Sequence, residues 1–309
     1  MDWDTFIQLT VNGLTLGSVY ALIALGYSLV YGILKLLNFA HGDVFMVGTF
    51  IGFGLLQLLG GSADPMVPAW LLLVLITLGA MAGCAMLGVA IERFAYRPLR
   101  DAPRIAPLIS ALGVSFFLTY SMQLMFGAEF RDYETFSLSG GSLYFEGIDI
   151  GNVRVPLLRI ITISAAFALM IVLWLLVTRT RTGKAMLATS YDREAASMMG
   201  IDVDRVIVFA FVLGSALAGA AGVLFALRVP TTVTIGFLAG LKGFTAAVIG
   251  GIGSIPGAMA GGLILGFAEA YVQGYISTRW SDLFVFSILI LFMLFRPQGL
   301  FGKADIRKV

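Results

Sequence analysis

Long stretches of the chain carry almost no charge. Residues 6–91 hold only three charged side chains, and residues 105–128 and 160–178 hold none. A helix needs about 20 apolar residues to cross the ~30 Å hydrocarbon core of a bilayer. Of the 309 residues, 59% are hydrophobic and 12% are charged, whereas roughly 25% are charged in a soluble domain. The chain is therefore predicted to be an all-α polytopic membrane protein, which excludes a soluble enzyme and a disulfide-stapled secreted domain.

Charged residues are concentrated in four connecting segments. Residues 92–104, residues 179–205 and the tail from Arg296 carry an excess of arginine and lysine, whereas the 129–156 loop is mainly acidic. The positive-inside rule places basic loops in the cytoplasm. We therefore expect a cytoplasmic C-terminus and an external 129–156 loop. Within that loop, β-formers alternate between glycines and predict one small hairpin at 134–156.

The apolar runs predict eight to nine transmembrane or broken helices in one transmembrane domain that occupies residues 1–309. Three spans before the first basic loop put the N-terminus outside, or inside if the run at 39–59 is re-entrant. The run near 236–253 is interrupted by Lys242 and by Gly250, Gly251 and Gly253, so it is a span, or a broken or re-entrant helix. The charge pattern requires it as a fourth crossing after the second basic loop. The other predicted spans lie near 6–33, 39–59, 66–91, 105–127, 157–178, 204–227, 257–277 and 281–295.

Glycines four residues apart recur along these runs. Helices in lipid gain little from hydrophobic contact with each other and associate through close van der Waals approach, which small residues permit. The pairs therefore predict tight packing between helices rather than a substrate path. They are Gly13 and Gly17, Gly48 and Gly52, Gly79 and Gly83, Gly257 and Gly261, and Gly262 and Gly266.

Motifs for catalysis, metal binding or nucleic-acid binding do not occur in the sequence. One histidine, one cysteine and scattered acids provide neither a metal cluster nor a catalytic triad, and a phosphate-binding loop is missing. The net charge of +2 comes without a basic stripe, which argues against a nucleic-acid partner. We expect no catalytic residue, no metal and no cofactor in this chain.

Several ionisable or helix-breaking residues at membrane depth are candidates for a translocation path or gate. A charge at the bilayer centre costs about 2.5–3.5 kcal/mol or more, so it usually faces protein or a wet cavity. Lys242 either functions there or snorkels to a nearby interface. Glu269 either functions there or is a satisfied carboxylate buried between helices, and a pairing of the two across adjacent segments is a further alternative. Asn38 is expected to cap a helix that starts beside it, and His41 is either an interfacial residue or part of a hinge. The full set is Asn38, His41, Asp43, Lys242, Gly250, Gly251, Gly253, Pro256 and Glu269.

Residues 179–203 contain a short amphipathic helix outside the membrane. Asp192 is a suitable N-cap and Gly200 a suitable stop for a helix that runs through Met199. Such a helix lies on the lipid surface or docks in a groove of a partner protein. Its exposed residues are expected to be Ala195, Ala196, Met198 and Met199.

The same segment resembles a known docking element. Glu194-Ala-Ala-x-x-x-Gly200 is similar to the EAA loop through which ABC importer permeases contact their ATPase subunits. The chain as a whole resembles the LivH-type permeases of the high-affinity branched-chain amino acid transporters, and the resemblance weakens in the 129–156 loop. The stretches that carry it are Asn12–Ala21, Leu37–Asp43, Ile91–Pro98 and Phe244–Ala258.

This resemblance implies a permease subunit of the bacterial inner membrane that has no ATPase of its own. It implies a second, homologous permease of the LivM type and two ATPase subunits that bind ATP and Mg²⁺. A periplasmic binding protein would deliver leucine, isoleucine or valine, and the path through the lipid bilayer would be mostly apolar. The resemblance assigns ATPase coupling to Gly183, Asp192, Glu194, Ala195, Ala196 and Gly200 of the 179–203 coupling loop.

Two other functions share part of this pattern. Permeases for urea, short-chain amides or amino acids in general have the same plan, because ligand choice lies largely in the binding protein. An ion-coupled secondary transporter would use Glu269 or Asp43 as its coupling carboxylate, but it needs no helix for docking an ATPase. Uptake that persists without ATP would indicate the secondary transporter.

Overall fold

A computed structural model describes residues 3–60, 67–100, 102–103, 105–133 and 147–302. In these ranges the protein is almost entirely α-helical. A two-stranded antiparallel hairpin is the one sheet in these ranges. The helices are α1 (Trp3–Leu34), α2 (His41–Leu58), α3 (Ala69–Ile91), α4 (Ile105–Phe126), α5 (Leu157–Arg179), α6 (Arg181–Tyr191), α7 (Arg193–Met198), α8 (Val203–Ala226), α9 (Ile235–Gly250), α10 (Ile255–Tyr275) and α11 (Ser281–Phe295), and the strands are β1 (Gly147–Ile150) and β2 (Val153–Pro156).

Eight helical segments are long and apolar enough to cross a membrane: α1, α2, α3 with the turns that extend it to Leu99, α4, α5, α8, α10, and α11 with the turn that precedes it from Thr278. They coincide closely with the eight predicted spans, because each is an apolar run with few charges. α3 and α5 begin directly after Pro68 and Pro156, whose fixed φ angles suit the chain just before a helix. The prediction of an all-α polytopic membrane protein is confirmed. The predicted hairpin is found at 147–156, and the rest of its segment, 134–146, lies outside the described residues.

α9 is shorter, with 16 residues, and it is continuous. Of the alternatives for the 236–253 run, a helix broken at Lys242 or Gly250 is therefore not found. Lys242 stays inside the helix because two nearby carboxylates balance its charge, and Gly250 completes the last turn. The chain breaks instead at 251–254, between α9 and α10.

The helix ends gather on two opposite faces. On the hairpin face, β1 and β2 lie beside the start of α1, where Asn152 donates a hydrogen bond to Asp4 at 3.1 Å. On the α7 face, α6 and α7 lie near the C-terminal segment, whose Leu300 N–H donates to Ile249 O of α9 at 2.8 Å. α1 therefore starts on the hairpin face, and α9 ends on the α7 face.

The crossings alternate between these faces. Arg131, after α4, and Thr231, after α8, bond each other at 2.8 Å on the hairpin face, so α9 crosses from that face to the α7 face. This direction is the one that the predicted fourth crossing after the second basic loop requires. Tyr133, which lies beyond α4, donates to Thr49 O of α2 at 2.5 Å. α2 thus runs towards the hairpin face, and the run at 39–59 crosses rather than re-enters.

α1 is the helix around which the others pack. In its most apolar window, 89% of the residues are buried, and it contacts α5, α8, α9 and α10. Its closest approach is to α10, which runs antiparallel to it: Gly13 faces Phe267, and Gly17 faces Leu263 and Gly266. The predicted packing role of these glycines is confirmed.

Three hydroxyl side chains of α1 are satisfied within their own helix, whereas Ser28 Oγ is buried without a hydrogen-bond partner among the described residues. Thr10, Thr15 and Ser18 donate to backbone carbonyls of α1 at 2.7, 2.7 and 2.9 Å. An unsatisfied polar group in an apolar medium costs several kcal/mol, roughly 2–7. These bonds remove that cost without a partner helix.

Replacing Gly17 by Val should destabilise the protein. A Cβ atom at this position would lie 2.8 Å from Leu263 Cα and 3.0 Å from Gly262 O, so the two backbones must separate, at a cost of about 1–3 kcal/mol. The matched control is Gly113→Val in α4, where a Cβ meets no atom within 4 Å. Thermal unfolding in detergent should give a lower Tm for Gly17→Val, and equal Tm values would contradict the packing role.

Candidate functional site

α6 and α7 form a helical pair that rests against α1, α5 and α8 on the α7 face. Thr180 caps α6 by accepting from Gly183 N at 3.1 Å, and Asp192 caps α7 by accepting from Ala195 N at 3.0 Å. Gly200 follows α7 with a φ of +80°, a conformation that glycine adopts at little cost. The predicted cap at Asp192 and the predicted stop at Gly200 are confirmed.

α7 presents one side to solvent and the other to the protein. Met198 and Met199 are 84% and 83% exposed, and Glu194 and Ala195 are exposed with them. The prediction that Ala196 is exposed was wrong, because only 4% of it is accessible. Successive residues of a helix are turned by about 100°, so Ala196 points inwards when Ala195 points outwards.

Gly183 lies where α6 meets the end of α5. It is buried, and a Cβ at this position would overlap the backbone of Val177. Glycine is therefore required here for the close approach of α6 to α5. Gly183 acts on the placement of the helical pair and is not part of the exposed side of α7.

Arg193 joins α7 to the end of α1. Its Nη2 and Nε atoms donate to Ile33 O at 2.7 and 3.2 Å. Burial, and then the nearby Arg100, lower the pKa of Arg193 from its usual value, but an arginine stays charged at neutral pH. Nothing local to Arg193 in the sequence indicates a carbonyl acceptor 160 positions away, so this contact was not predicted.

A second group of charges ties the end of α3 to the start of α8. Arg97 pairs with Asp204 at 2.7 Å, and Arg100 bridges Asp204 and Glu92. Glu92 opens a π-helical turn (Glu92–Tyr96) that continues α3, and it is 1% exposed. A carboxylate this deeply buried requires a paired cation. The cluster therefore holds α3 and α8 together on the α7 face.

The junction between α1 and α2 is irregular. Lys35 closes α1 with a φ of +55°, in the left-handed region common at helix ends. Asn38 does not cap α2, contrary to the prediction: the helix begins at His41 without a side-chain cap. Asn38 is turned away because its Oδ1 accepts a hydrogen bond from Tyr96 OH at 3.1 Å.

His41 begins α2 inside the protein. Its ring packs edge-on against Tyr27, with ring centroids 4.6 Å apart, and a Cβ at Gly26 would overlap the imidazole. The residue is 1% exposed, and its Nε2 has no hydrogen-bond partner in the described part of the chain. Because Gly26 lies about two turns before the end of α1, α2 starts roughly 12 Å below that end. This depth does not fit an interfacial histidine.

Asp43 follows in the first turn of α2 and is 3% exposed. Its Oδ1 accepts a hydrogen bond from Thr119 of α4 at 3.0 Å. The neighbouring Gly42 packs against the α9 backbone at Gly236 and Gly240. The start of α2 is therefore held between α1, α4 and α9.

Lys242 and Glu269 are partners, which was one of the alternatives that the sequence left open. Nζ of Lys242 lies 2.7 Å from Glu269 Oε1 and 2.8 Å from Asp282 Oδ1. Glu269 Oε1 also accepts from Gln273 and Ser281, both at 3.1 Å. The Lys242 and Glu269 side chains are 9% and 3% exposed. We call this network the α9–α11 brace, because it links α9, α10 and α11 and balances the lysine charge within the chain.

Glycines form the turn between α9 and α10. Gly251 and Gly253 have φ angles of +103° and +91°, which residues with a side chain rarely adopt. Ser254 caps α10 by accepting from Gly257 N at 3.2 Å, and Pro256 stands in the first turn. Gly250, the last residue of α9, accepts from Phe301 N at 3.0 Å. This turn lines a cavity of about 460 Å³ whose other walls include Gly32, Lys35, Trp174 and Tyr191.

The predicted path and gate residues therefore lie in three places. Asn38, His41 and Asp43 lie at the α1–α2 junction, the glycine turn lies on the α7 face, and the α9–α11 brace lies nearer the hairpin face. α9 touches all three. No group of three His, Cys, Asp or Glu side chains suited to a metal ion occurs among the residues that the structure describes.

Comparison with known proteins identifies the family. Residues 9–294 match the family described as the permease component of branched-chain amino acid transport systems. The chain belongs to this family. Two similar permease proteins of high-affinity branched-chain amino acid transport systems are BraD of Pseudomonas aeruginosa, 41% identical, and LivH of Escherichia coli K12, 42% identical. Each alignment spans 305 residues and 98% of both chains.

A more distant relative is another permease protein of such a system. LivM of Escherichia coli K12 is 27% identical over 318 residues, which cover 94% of this chain and 69% of LivM. Together with the eight apolar helices, family membership establishes a multi-pass membrane permease and confirms the resemblance of the sequence to LivH-type permeases.

Removing Lys242 alone should lower stability more than removing the pair. Lys242→Met leaves Glu269 buried without its cation, and breaking a buried ion pair costs about 3–5 kcal/mol. The double variant Lys242→Met/Glu269→Gln should recover part of that loss. Lys184→Met, on the exposed surface of α6, is the matched control. A Tm of Lys242→Met equal to that of Lys184→Met would contradict the stabilising role of the brace.

Proposed function

We propose that this chain is the transmembrane permease subunit of a bacterial ABC importer for branched-chain amino acids. In this proposal it forms half of the translocation path for leucine, isoleucine and valine and has no ATPase activity of its own. The observation that carries the proposal is α7, a capped helix outside the spans whose exposed side holds two methionines. The substrate class is supported by the relatives, which match over nearly the full length of both chains.

The exposed side of α7 fits a protein groove better than a lipid surface. Methionine is flexible and fills irregular apolar grooves, as Met198 and Met199 would do. Glu194 lies on the same side, where it would be repelled by anionic lipid, and the one basic residue of α7, Arg193, is bonded inwards to α1. We therefore assign α7 to the docking of an ATPase subunit.

The proposed assembly contains four kinds of subunit. Two ATPase subunits bind ATP and Mg²⁺ and dock at α7 and at its counterpart. A second, LivM-type permease completes the path, and the similarity of this chain to LivM supports such a pair of homologous permeases. A periplasmic binding protein delivers the amino acid at the opposite face.

The α7 face is proposed to be cytoplasmic and the hairpin face periplasmic, in the bacterial inner membrane. The basic 92–104 and 179–205 loops lie on the α7 face, which agrees with the positive-inside rule. The C-terminal segment bonds to the end of α9 on that face, so the C-terminus would be cytoplasmic. The start of α1, beside the hairpin, would be periplasmic.

Transport requires the spans to reorient, and two irregular segments offer places for this. At the α1–α2 junction, Asn38, His41 and Asp43 lie where regular helix is interrupted within the membrane, the kind of place where transporters bind substrates. The second segment is the glycine turn between α9 and α10. α10 can change direction relative to α9 there because the turn contains Gly250, Gly251, Gly253 and Pro256. We propose both segments as gate elements. The α9–α11 brace, with Lys242 and Glu269, would move as one unit between them.

Uptake in a strain that lacks its own permease tests the substrate. This chain, expressed with its partner subunits, should restore ATP-dependent uptake of radiolabelled leucine, and unlabelled isoleucine or valine should compete. Restoration of urea uptake alone would assign the chain to amide-transporting relatives. Uptake that survives ATP depletion but is abolished by an uncoupler would indicate an ion-coupled transporter.

Replacing both Met198 and Met199 by Glu should detach the ATPase subunits without unfolding the permease. Both side chains are almost fully exposed, so the change removes apolar contact only at the docking surface, where central contacts dominate affinity. Co-purification of the ATPase and ATP-driven uptake should both fall by about tenfold or more. Phe130→Glu, at a 77% exposed residue on the hairpin face, is the control. ATPase retention by the double variant would contradict docking through α7.

A further inference from the structure

We infer that Arg193 is the positioning residue that carries movement of a docked ATPase from α7 to α1. The inference rests on the proposed docking of an ATPase on α7. The movement reaches the spans through the pair of hydrogen bonds that the Arg193 guanidinium donates to Ile33 O.

The geometry of this contact suits the transmission of force. The last carbonyls of a helix lack intrahelical partners, and they carry the negative end of the helix dipole. Arg193 meets one of them with two donors of a planar, permanently charged group, which is a directional contact. A lysine at the same position would offer a point charge without the fork, and it would hold the carbonyl in a less defined direction.

The place of the contact matters as much as its strength. The α6–α7 pair is joined to α5 and α8 by the chain itself, whereas α1 is distant in sequence and is held by side-chain contacts. α6 also contacts α1, but the directional bonds of Arg193 set the position of α7 along α1. The residue that follows the acceptor by two positions is Lys35, whose φ of +55° marks the end of α1.

The receiving helix is the centre of the bundle. In its most apolar window 89% of the residues of α1 are buried, and α5, α8, α9 and α10 contact it, so a displacement at Ile33 acts on the helices that pack around it. The irregular α1–α2 junction begins directly beyond Ile33. A pull on this carbonyl therefore reaches Asn38 and His41 through a short, non-helical segment.

The experiment measures leucine transported per ATP hydrolysed in the complete transporter, reconstituted with its partner subunits and binding protein. Arg193→Met keeps the apolar stem of the side chain and removes both donors. We expect this ratio to fall about tenfold or more, as the loss of a charged hydrogen bond predicts, while the ATPase rate stays within about twofold. Arg193→Lys should give an intermediate ratio.

Arg181→Met is the matched control, because Arg181 is an exposed arginine of α6, and it should leave the ratio unchanged. A normal ratio for Arg193→Met would overturn the inference while leaving the proposed function intact. Loss of assembly by both Arg193 variants would assign the residue to folding and would also overturn the inference. A wild-type complex that hydrolyses ATP without moving leucine would instead refute the proposed function, and the inference with it.

Discussion

The structure depends on how closely α1 approaches its neighbours. In lipid there is no hydrophobic force between helices, so the stabilising contacts are those that glycine makes possible. Gly17 meets Leu263 and Gly266 of α10, and Gly26 meets Gly214 of α8. Because the backbones touch, α1 has no room to tilt independently. Any reorientation must therefore occur where regular helix ends, at the α1–α2 junction and at the glycine turn.

Polar groups in the membrane-spanning part differ in whether their hydrogen bonds are satisfied. Lys242 and Glu269 are paired, and hydrogen bonds from neighbouring helices support the carboxylate. His41 is the opposite case, since its Nε2 is buried without a partner in the described residues, against a glycine that leaves just enough room for the ring. A satisfied network stabilises one arrangement of helices. An unsatisfied group at an interrupted helix is less costly to move, because no hydrogen bond is lost. The α1–α2 junction, with His41, therefore moves more easily than the α9–α11 brace.

Local patterns in the sequence were sufficient for much of the architecture. Apolar runs gave the spans, Asp192 and Gly200 gave the limits of α7, and the rarity of charge drew attention to Lys242 and Glu269. The failures all involved contacts with distant residues. Asn38 bonds Tyr96 instead of capping α2, and Ala196 is turned inwards by packing that a six-residue pattern cannot show. Arg193 bonds a backbone carbonyl, an acceptor that every residue possesses and that sequence therefore cannot single out.

The packing of α1 also has a consequence for biogenesis. α1 leaves the ribosome long before its main partner, α10, which lies far later in the chain. Until α10 has been synthesised, the side of α1 that packs against it must therefore face lipid or the insertion machinery. The hydroxyls of Thr10, Thr15 and Ser18 are already bonded to α1 itself, so they impose no penalty during this wait. The helix that organises the finished bundle is thus able to reside alone in the bilayer until its partner arrives.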